Sequence, residues 1–391
     1  MARRVLLTFG TRPEAIKMAP VYEALRETRG LQPVVCVTAQ HRELLDQVLL
    51  LFGTTPEYDL NIMTPGQDLF DVTEKCLCGL RDVYREAEPD LVLVHGDTTT
   101  TLAAALAAYY SRVPVGHVEA GLRTGDKHAP FPEEMNRRMV GSLADLHFAP
   151  TRLARRNLRR ENIPAADIFF TGNTVVDAPP RISAELPAQP HLEQLYRGKR
   201  LILMTAHRRE NFGEPLETIF RTVAAFVAHH PEFQVVFPVH PNPNVRKLAH
   251  RLLGHVGNIS LIEPVDYAEL IFLLRECQFV LTDSGGLQEE APSLGKPVLV
   301  LRETTERPEA IEAGGAIIVG HDERKITSHM EALADPRSDL YRSMQAAENP
   351  FGDGQAGLRI ARIIRRRLCE PPVAGQQTGD ENVEPHAIKR G

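Results

Sequence analysis

The chain has 391 residues, two to three ordinary domains' worth, and its 43% hydrophobic and 25% charged residues exclude wholesale disorder and collagen-like repeats. Lys plus Arg number 45 against 51 Asp plus Glu, a formal charge of -6, so the basic excess that duplex nucleic acid demands is missing and no nucleic-acid partner is expected. The five cysteines, Cys36, Cys76, Cys78, Cys277 and Cys369, form no CxxC pair and no zinc spacing, so reduced thiols and no metal site are expected.

In chain order, the amino-terminal apolar run is cut at Gly10-Thr11-Arg12-Pro13-Glu14, too early for a signal peptide. No stretch reaches the roughly 18 uncharged residues of a membrane helix, and a cytoplasmic location is the default expectation. Short β-branched runs at 5–9, 34–38, 91–95, 113–118 and 146–149 alternate with helical patterns such as 14–28 and 69–86. The rhythm restarts at 201–205, 233–239, 259–262, 279–282, 298–301 and 316–319. That alternation predicts an α/β fold of two doubly wound, Rossmann-like domains facing a cleft, covering 1–178 and 179–350. The proline-rich stretch from Ala178-Pro179-Pro180 to Pro190 reads as the linker. A last amphipathic helix is expected within 351–369, and the Pro, Gly, Gln and acid-rich residues 370–391 read as a disordered tail.

Ligands of open parallel sheets bind beyond the carboxyl ends of the strands, so the residues just after each run carry the functional reading. After the first, Thr11 and Glu14 have capping-box spacing, and Arg12 and Lys17 add positive charge to a helix N-terminus that already favours anions. An ordinary cap with two surface cations explains that segment equally well. Further loops present Asp97 after His95-Gly96, Glu119 after Val118, and Glu133 in Phe131-Pro132-Glu133-Glu134. Asp97 alone reads equally as an N-cap, whereas Glu119 at a strand end gains nothing from capping. Gathered carboxylates raise one another's pKa values, one route to an acid or base near neutrality.

In the second half, Ala206-His207-Arg208-Arg209 puts a His and two Arg at a strand end, suited to phosphate and to protonating a leaving group or, alternatively, to a helix entry with solvated charges. His240-Pro241-Asn242-Pro243 is mostly turn chemistry. The segment Thr282-Asp283-Ser284-Gly285-Gly286 opens a helix whose backbone N–H groups can cradle a diphosphate, with Glu290 placed for ribose hydroxyls. There is no GxGxxG, Walker loop or HExxH, so nicotinamide, ATP and zinc-protease readings lose their support.

Taken together, Gly10-Thr11-Arg12-Pro13-Glu14, Gln40-His41-Arg42, Gly96-Asp97-Thr98-Thr99, Val118-Glu119-Ala120-Gly121-Leu122-Arg123-Thr124, Pro132-Glu133-Glu134 with Asn136-Arg137, His207-Arg208-Arg209-Glu210-Asn211 and Thr282 through Glu290 closely resemble bacterial non-hydrolysing UDP-N-acetylglucosamine 2-epimerases, in order along most of the chain. The resemblance implies the two-domain fold of nucleotide-sugar glycosyltransferases and glycogen phosphorylase, the last helix returning to the first domain, a homodimer, and no cofactor. It implies reversible conversion of UDP-GlcNAc to UDP-ManNAc for cell-surface polysaccharide, by elimination of UDP to 2-acetamidoglucal and re-addition. Carried over, Asp97, Glu119 and Glu133 are acid/base carboxylates and His207 assists the diphosphate. Arg12, Lys17, Ser284, Gly285, Gly286, Glu290 and Arg307 hold UDP, while Gln40, His41, Arg209 and His240 resemble a second, activating UDP-GlcNAc site. The rivals are the hydrolysing branch, which releases ManNAc, a glycosyltransferase, and a binding-only protein.

Overall fold

The apolar runs become parallel strands buried on both faces, as near-continuous Val and Leu runs require. In Leu91–His95, for example, every residue is buried. The computed structural model describes residues 2–39 and 42–370. The described residues form two units: one runs through Ala178 and resumes from Gly352 onward, and the other is Pro179–Phe351.

In the first unit the strands are β1 (Arg3–Phe9), β2 (Leu31–Val37), β3 (Tyr58–Asp59), β4 (Leu91–His95), β5 (Val115–Val118), β6 (Leu146–Ala149) and β7 (Ile168–Phe170). Their order across the sheet is β3-β2-β1-β4-β5-β6-β7. The second unit contains β8 (Arg200–Thr205), β9 (Phe233–Pro238), β10 (Ile259–Ile262), β11 (Phe279–Thr282), β12 (Val298–Val300) and β13 (Ala316–Ile318), ordered β10-β9-β8-β11-β12-β13. Each sheet therefore reverses its winding once, between β1 and β4 and between β8 and β11, and these are the points where a doubly wound sheet opens a ligand crevice. The fold class expected from the sequence is the one observed: α/β, doubly wound twice.

Two strands, β3 and β7, were not expected, and the linker takes a different form. Residues Ala178–Glu185 are an α-helix with Pro179 and Pro180 in its first turn. Proline is tolerated there because first-turn N–H groups have no intrahelical partner, so a proline pair need not mean a linker.

The C-terminal helix Ala356–Cys369 buries Ala356, Gly357, Ile360, Ala361 and Ile364 and packs against the helix Arg12–Glu27. A Cβ on Gly357 would stand 2.6 Å from the Pro20 carbonyl oxygen, so glycine sets how closely the two helices approach. Asp177 accepts from the Ala356 and Gly357 amides, fixing the start of the helix. No helix among the described residues is long and apolar enough to cross a membrane.

Candidate active site

In the first unit the loops after β1 and β4 are joined by one side chain. Glu14 is 2% exposed; its Oε2 accepts from the Gly10 amide (3.0 Å) and from the Thr11 amide and hydroxyl (2.8 Å each), and its Oε1 accepts from the Thr98 hydroxyl at 2.8 Å. Burial pushes the Glu14 carboxyl above its ordinary range, partly opposed by these bonds. Gly10 is obligatory, since a Cβ there would lie 2.1 Å from the Thr38 hydroxyl.

Glu119 directly follows β5 with φ +65, a left-handed conformation that costs a non-glycine residue roughly 1–3 kcal/mol and collects at functional sites. Its Oε2 accepts from Lys17 Nζ and, at 2.9 Å, from Asn173 Nδ2, while Oε1 lies against Gly96, its nearest neighbour to that glycine's Cβ position. Asp97 ion-pairs with Arg137, and Asn136 donates to the Asp97 carbonyl at 2.8 Å. The helix beginning after Asp97 is capped instead by Thr98, whose side chain accepts from the Thr101 amide, so the capping reading of Asp97 gives way to its neighbour. Glu133 opens the helix Glu133–Leu143 and is half-buried, without an ion pair among the described residues. Glu134 is the structural member of the pair: it is buried and accepts from the Thr124 and Gly125 amides and Arg138. Burial acts to raise its carboxyl, yet those bonds outweigh it and hold it low. The acids thus meet cations rather than one another: Glu119 has Lys17 and Asp97 has Arg137, so mutual repulsion is not what the geometry supplies.

Arg12 is half-buried on the first turn of its helix, without an ion pair among the described residues. Lys17, expected on a diphosphate, rests on Glu119 here. Gln40 and His41 lie outside the described residues.

In the second unit Asp283 takes the place that Glu14 has in the first. It is fully buried after β11 and accepts from the His207 amide at 2.9 Å, the Arg208 amide at 2.9 Å and Asn211 Nδ2 at 3.1 Å. His207 Nδ1 lies 3.1 Å from its Oδ1. Burial acts to raise the Asp283 carboxyl, but the His207 and Arg208 bonds prevail and hold it below its ordinary range. This contact selects the tautomer with the proton on Nδ1, leaving Nε2 as the working nitrogen. His240 stacks on His207 with ring centroids 5.6 Å apart, and burial lowers its pKa. Arg209 is exposed on the turn Arg209–Asn211.

Ser284 is the N-cap of the short helix Gly285–Glu290, and the amides of Gly285 and Gly286 lie in its first turn, out of reach of an intrahelical carbonyl. Glu290 is buried, accepts from the Tyr267 hydroxyl at 2.8 Å, and holds its Oε2 3.8 Å from where a Gly286 Cβ would stand. Arg307 ion-pairs with the buried Glu289. Asn173 lies outside every motif read from the sequence, whereas Arg137, Asp283 and Glu289 stand within such motifs without an assigned role, because each acts on a partner distant in the chain. Among the described residues no three His, Cys, Asp or Glu side chains are grouped to hold a metal ion.

Residues 23–365 match the family model described as UDP-N-acetylglucosamine 2-epimerase. The UDP-N-acetylglucosamine 2-epimerase of Salmonella typhimurium is 53% identical over 370 residues, 93% of this chain and 98% of that one. Among solved structures, the UDP-GlcNAc 2-epimerase from Neisseria meningitidis bound to UDP-GlcNAc aligns with a TM-score of 0.82 at 47% identity, over 93% of this chain and 100% of that one. The S. aureus MnaA–UDP co-structure aligns with a TM-score of 0.83 at 46% identity, over 94% and 97%.

Proposed function

From the premise that the chain belongs to the UDP-N-acetylglucosamine 2-epimerase family, we propose that it interconverts UDP-GlcNAc and UDP-ManNAc without hydrolysis. The C2 proton of the sugar is too weakly acidic for simple exchange. A carboxylate takes the C2 proton, the C2–H electron pair becomes the C1=C2 double bond of 2-acetamidoglucal, and the C1–O pair leaves with UDP. Re-addition of UDP at C1 and protonation at C2 from the opposite face give the epimer, and the product enters cell-surface polysaccharide synthesis.

Asp97, Glu119 and Glu133 are the acid/base set. The observation that carries the reading is Glu119, held in a strained left-handed conformation and anchored through Oε2 by Lys17 and Asn173 at a doubly wound sheet's crevice. His207, oriented by Asp283, donates from Nε2 to the departing diphosphate, and the buried carboxylate stabilises the imidazolium that this requires. Gly285 and Gly286 present their amides to the diphosphate and Glu290 accepts from the ribose, with Arg12 and Arg307 adding positive charge. The neighbouring His240 stack gives a second UDP-GlcNAc, bound as an activator, a route to influence His207.

The test is incubation with UDP-GlcNAc in deuterated water followed by NMR of the sugar. Deuterium at C2 of UDP-ManNAc is expected. Retention of the original hydrogen removes solvent-exchanging elimination, and free ManNAc as the main product moves the protein to the hydrolysing branch.

A further inference from the structure

His95 ends β4 and is 3% exposed, yet neither ring nitrogen has a hydrogen-bond partner among the described residues. Interiors leave few polar groups unpaired, so such a group calls for an explanation. On the adjacent strand, His117 is just as buried but places its Nε2 2.7 Å from the Gly96 carbonyl oxygen. His95 Nε2 instead points to Glu119 and stops 3.9 Å from Oε2, beyond hydrogen-bond reach. That oxygen already accepts from Lys17 on one side and Asn173 on another. Burial pushes the His95 imidazole down to about 4, with Glu119 opposing, so the ring is neutral near pH 7 and has one N–H to give.

We infer that His95 is a positioning residue for Glu119: carrying its proton on Nε2, the ring acts as a third donor to Oε2 from the strand behind it and keeps Oε1 turned to the Gly96 side. About 1 Å of ring movement brings Nε2 into hydrogen-bond range. The inference rests on Glu119 being an acid/base group of the proposed epimerisation, and a misplaced acid costs turnover rather than nucleotide affinity.

His95→Leu fills the same space without a donor, whereas His95→Gln keeps an amide N–H close to the Nε2 position. The Leu variant is expected to lose roughly ten- to hundredfold in kcat with KM for UDP-GlcNAc little changed, and the Gln variant to recover most of that loss. Nitrogen NMR of the wild-type protein should show His95 neutral with its proton on Nε2, and its signal should move in Glu119→Gln. A folded Leu variant with wild-type kcat, or a wild-type His95 protonated on Nδ1, overturns the inference, and the NMR result decides if the Leu variant fails to fold. Full turnover in Glu119→Gln overturns the acid/base reading itself, while an inactive Glu119→Gln beside a normal His95→Leu overturns only the role of His95.

Discussion

In both units the sheet reverses its winding between its first and fourth strands, and in both a buried carboxylate ties together the two loops leaving that point. Glu14 joins Gly10 and Thr11 to Thr98; Asp283 joins its own loop to His207, Arg208 and Asn211. Parallel strands end with unpaired, diverging loops, and a carboxylate with two acceptor oxygens suits the gap between them. The two clamps differ in what they clamp. Glu14 is met by amides and hydroxyls and sits above the ordinary carboxylate range, whereas Asp283 also meets an imidazole and sits below it. One clamp joins loops through amides and hydroxyls alone; the other also holds an imidazole ring. The same topology thus supports different chemistry through one partner per clamp.

The sharpest break of this division comes from the acids. Glu119→Gln and Asp97→Asn are each expected to lower turnover about a hundredfold or more, the usual scale for a lost general acid or base. UDP binding measured by calorimetry should survive, because the proposed diphosphate cradle belongs to the second unit. If both variants stay folded and lose UDP, the assignment of acid chemistry to one unit and nucleotide to the other fails.

A smaller effect separates the clamps directly. Asp283→Asn keeps the shape but cannot hold His207 in the Nδ1-protonated form, so kcat should fall roughly ten- to hundredfold. Glu14→Gln touches no group assigned to proton transfer; it should cost about 1–3 kcal/mol of stability by disturbing a buried acceptor, with kcat changed only severalfold. Steady-state kinetics paired with urea unfolding of both variants distinguish these outcomes. A larger kcat loss from Glu14→Gln than from Asp283→Asn reverses the comparison.

The clamps also mark the boundary of what the amino-acid order reveals. Strands 91–95, 146–149 and 279–282 are readable to the residue because buried parallel strands are short, mostly apolar runs with turn residues beyond them, and the half-buried 259–262 is bounded by Asn258 and by Glu263-Pro264. Tyr58–Asp59 is too short to show a pattern, and Ile168–Phe170 is three residues at a sheet edge. Thr11 with Glu14 was legible as a capping box, but not the reach of Glu14 to Thr98, 84 positions away. Likewise Glu119 stood out as an acid at a strand end, while Lys17, 102 positions earlier, was assigned to phosphate. Local spacing identifies the residue types that can do chemistry; which of them pair is decided by strand order.

The finest distinction between the clamps is the sign of their pH dependence. Asp283 has a folded-state pKa below the ordinary 3.8, so its contribution to stability is complete above that value and is lost as pH falls through the folded one. Glu14 is displaced upward from 4.5; the folded state then binds the proton more tightly than the unfolded chain, and the cost of burying the charged form is relieved as pH falls toward that range. Urea unfolding from pH 7 downward, with each variant subtracted from the wild type, isolates the two groups. The wild-type advantage over Glu14→Gln should grow on acidification, starting above pH 4.5. Its advantage over Asp283→Asn should stay level through that window and shrink only below about pH 4, where the unfolded carboxylate takes up its proton first. Equal signs for the two differences would mean that the surrounding donors, not burial, govern Glu14 as they govern Asp283, and that both units carry the same kind of clamp.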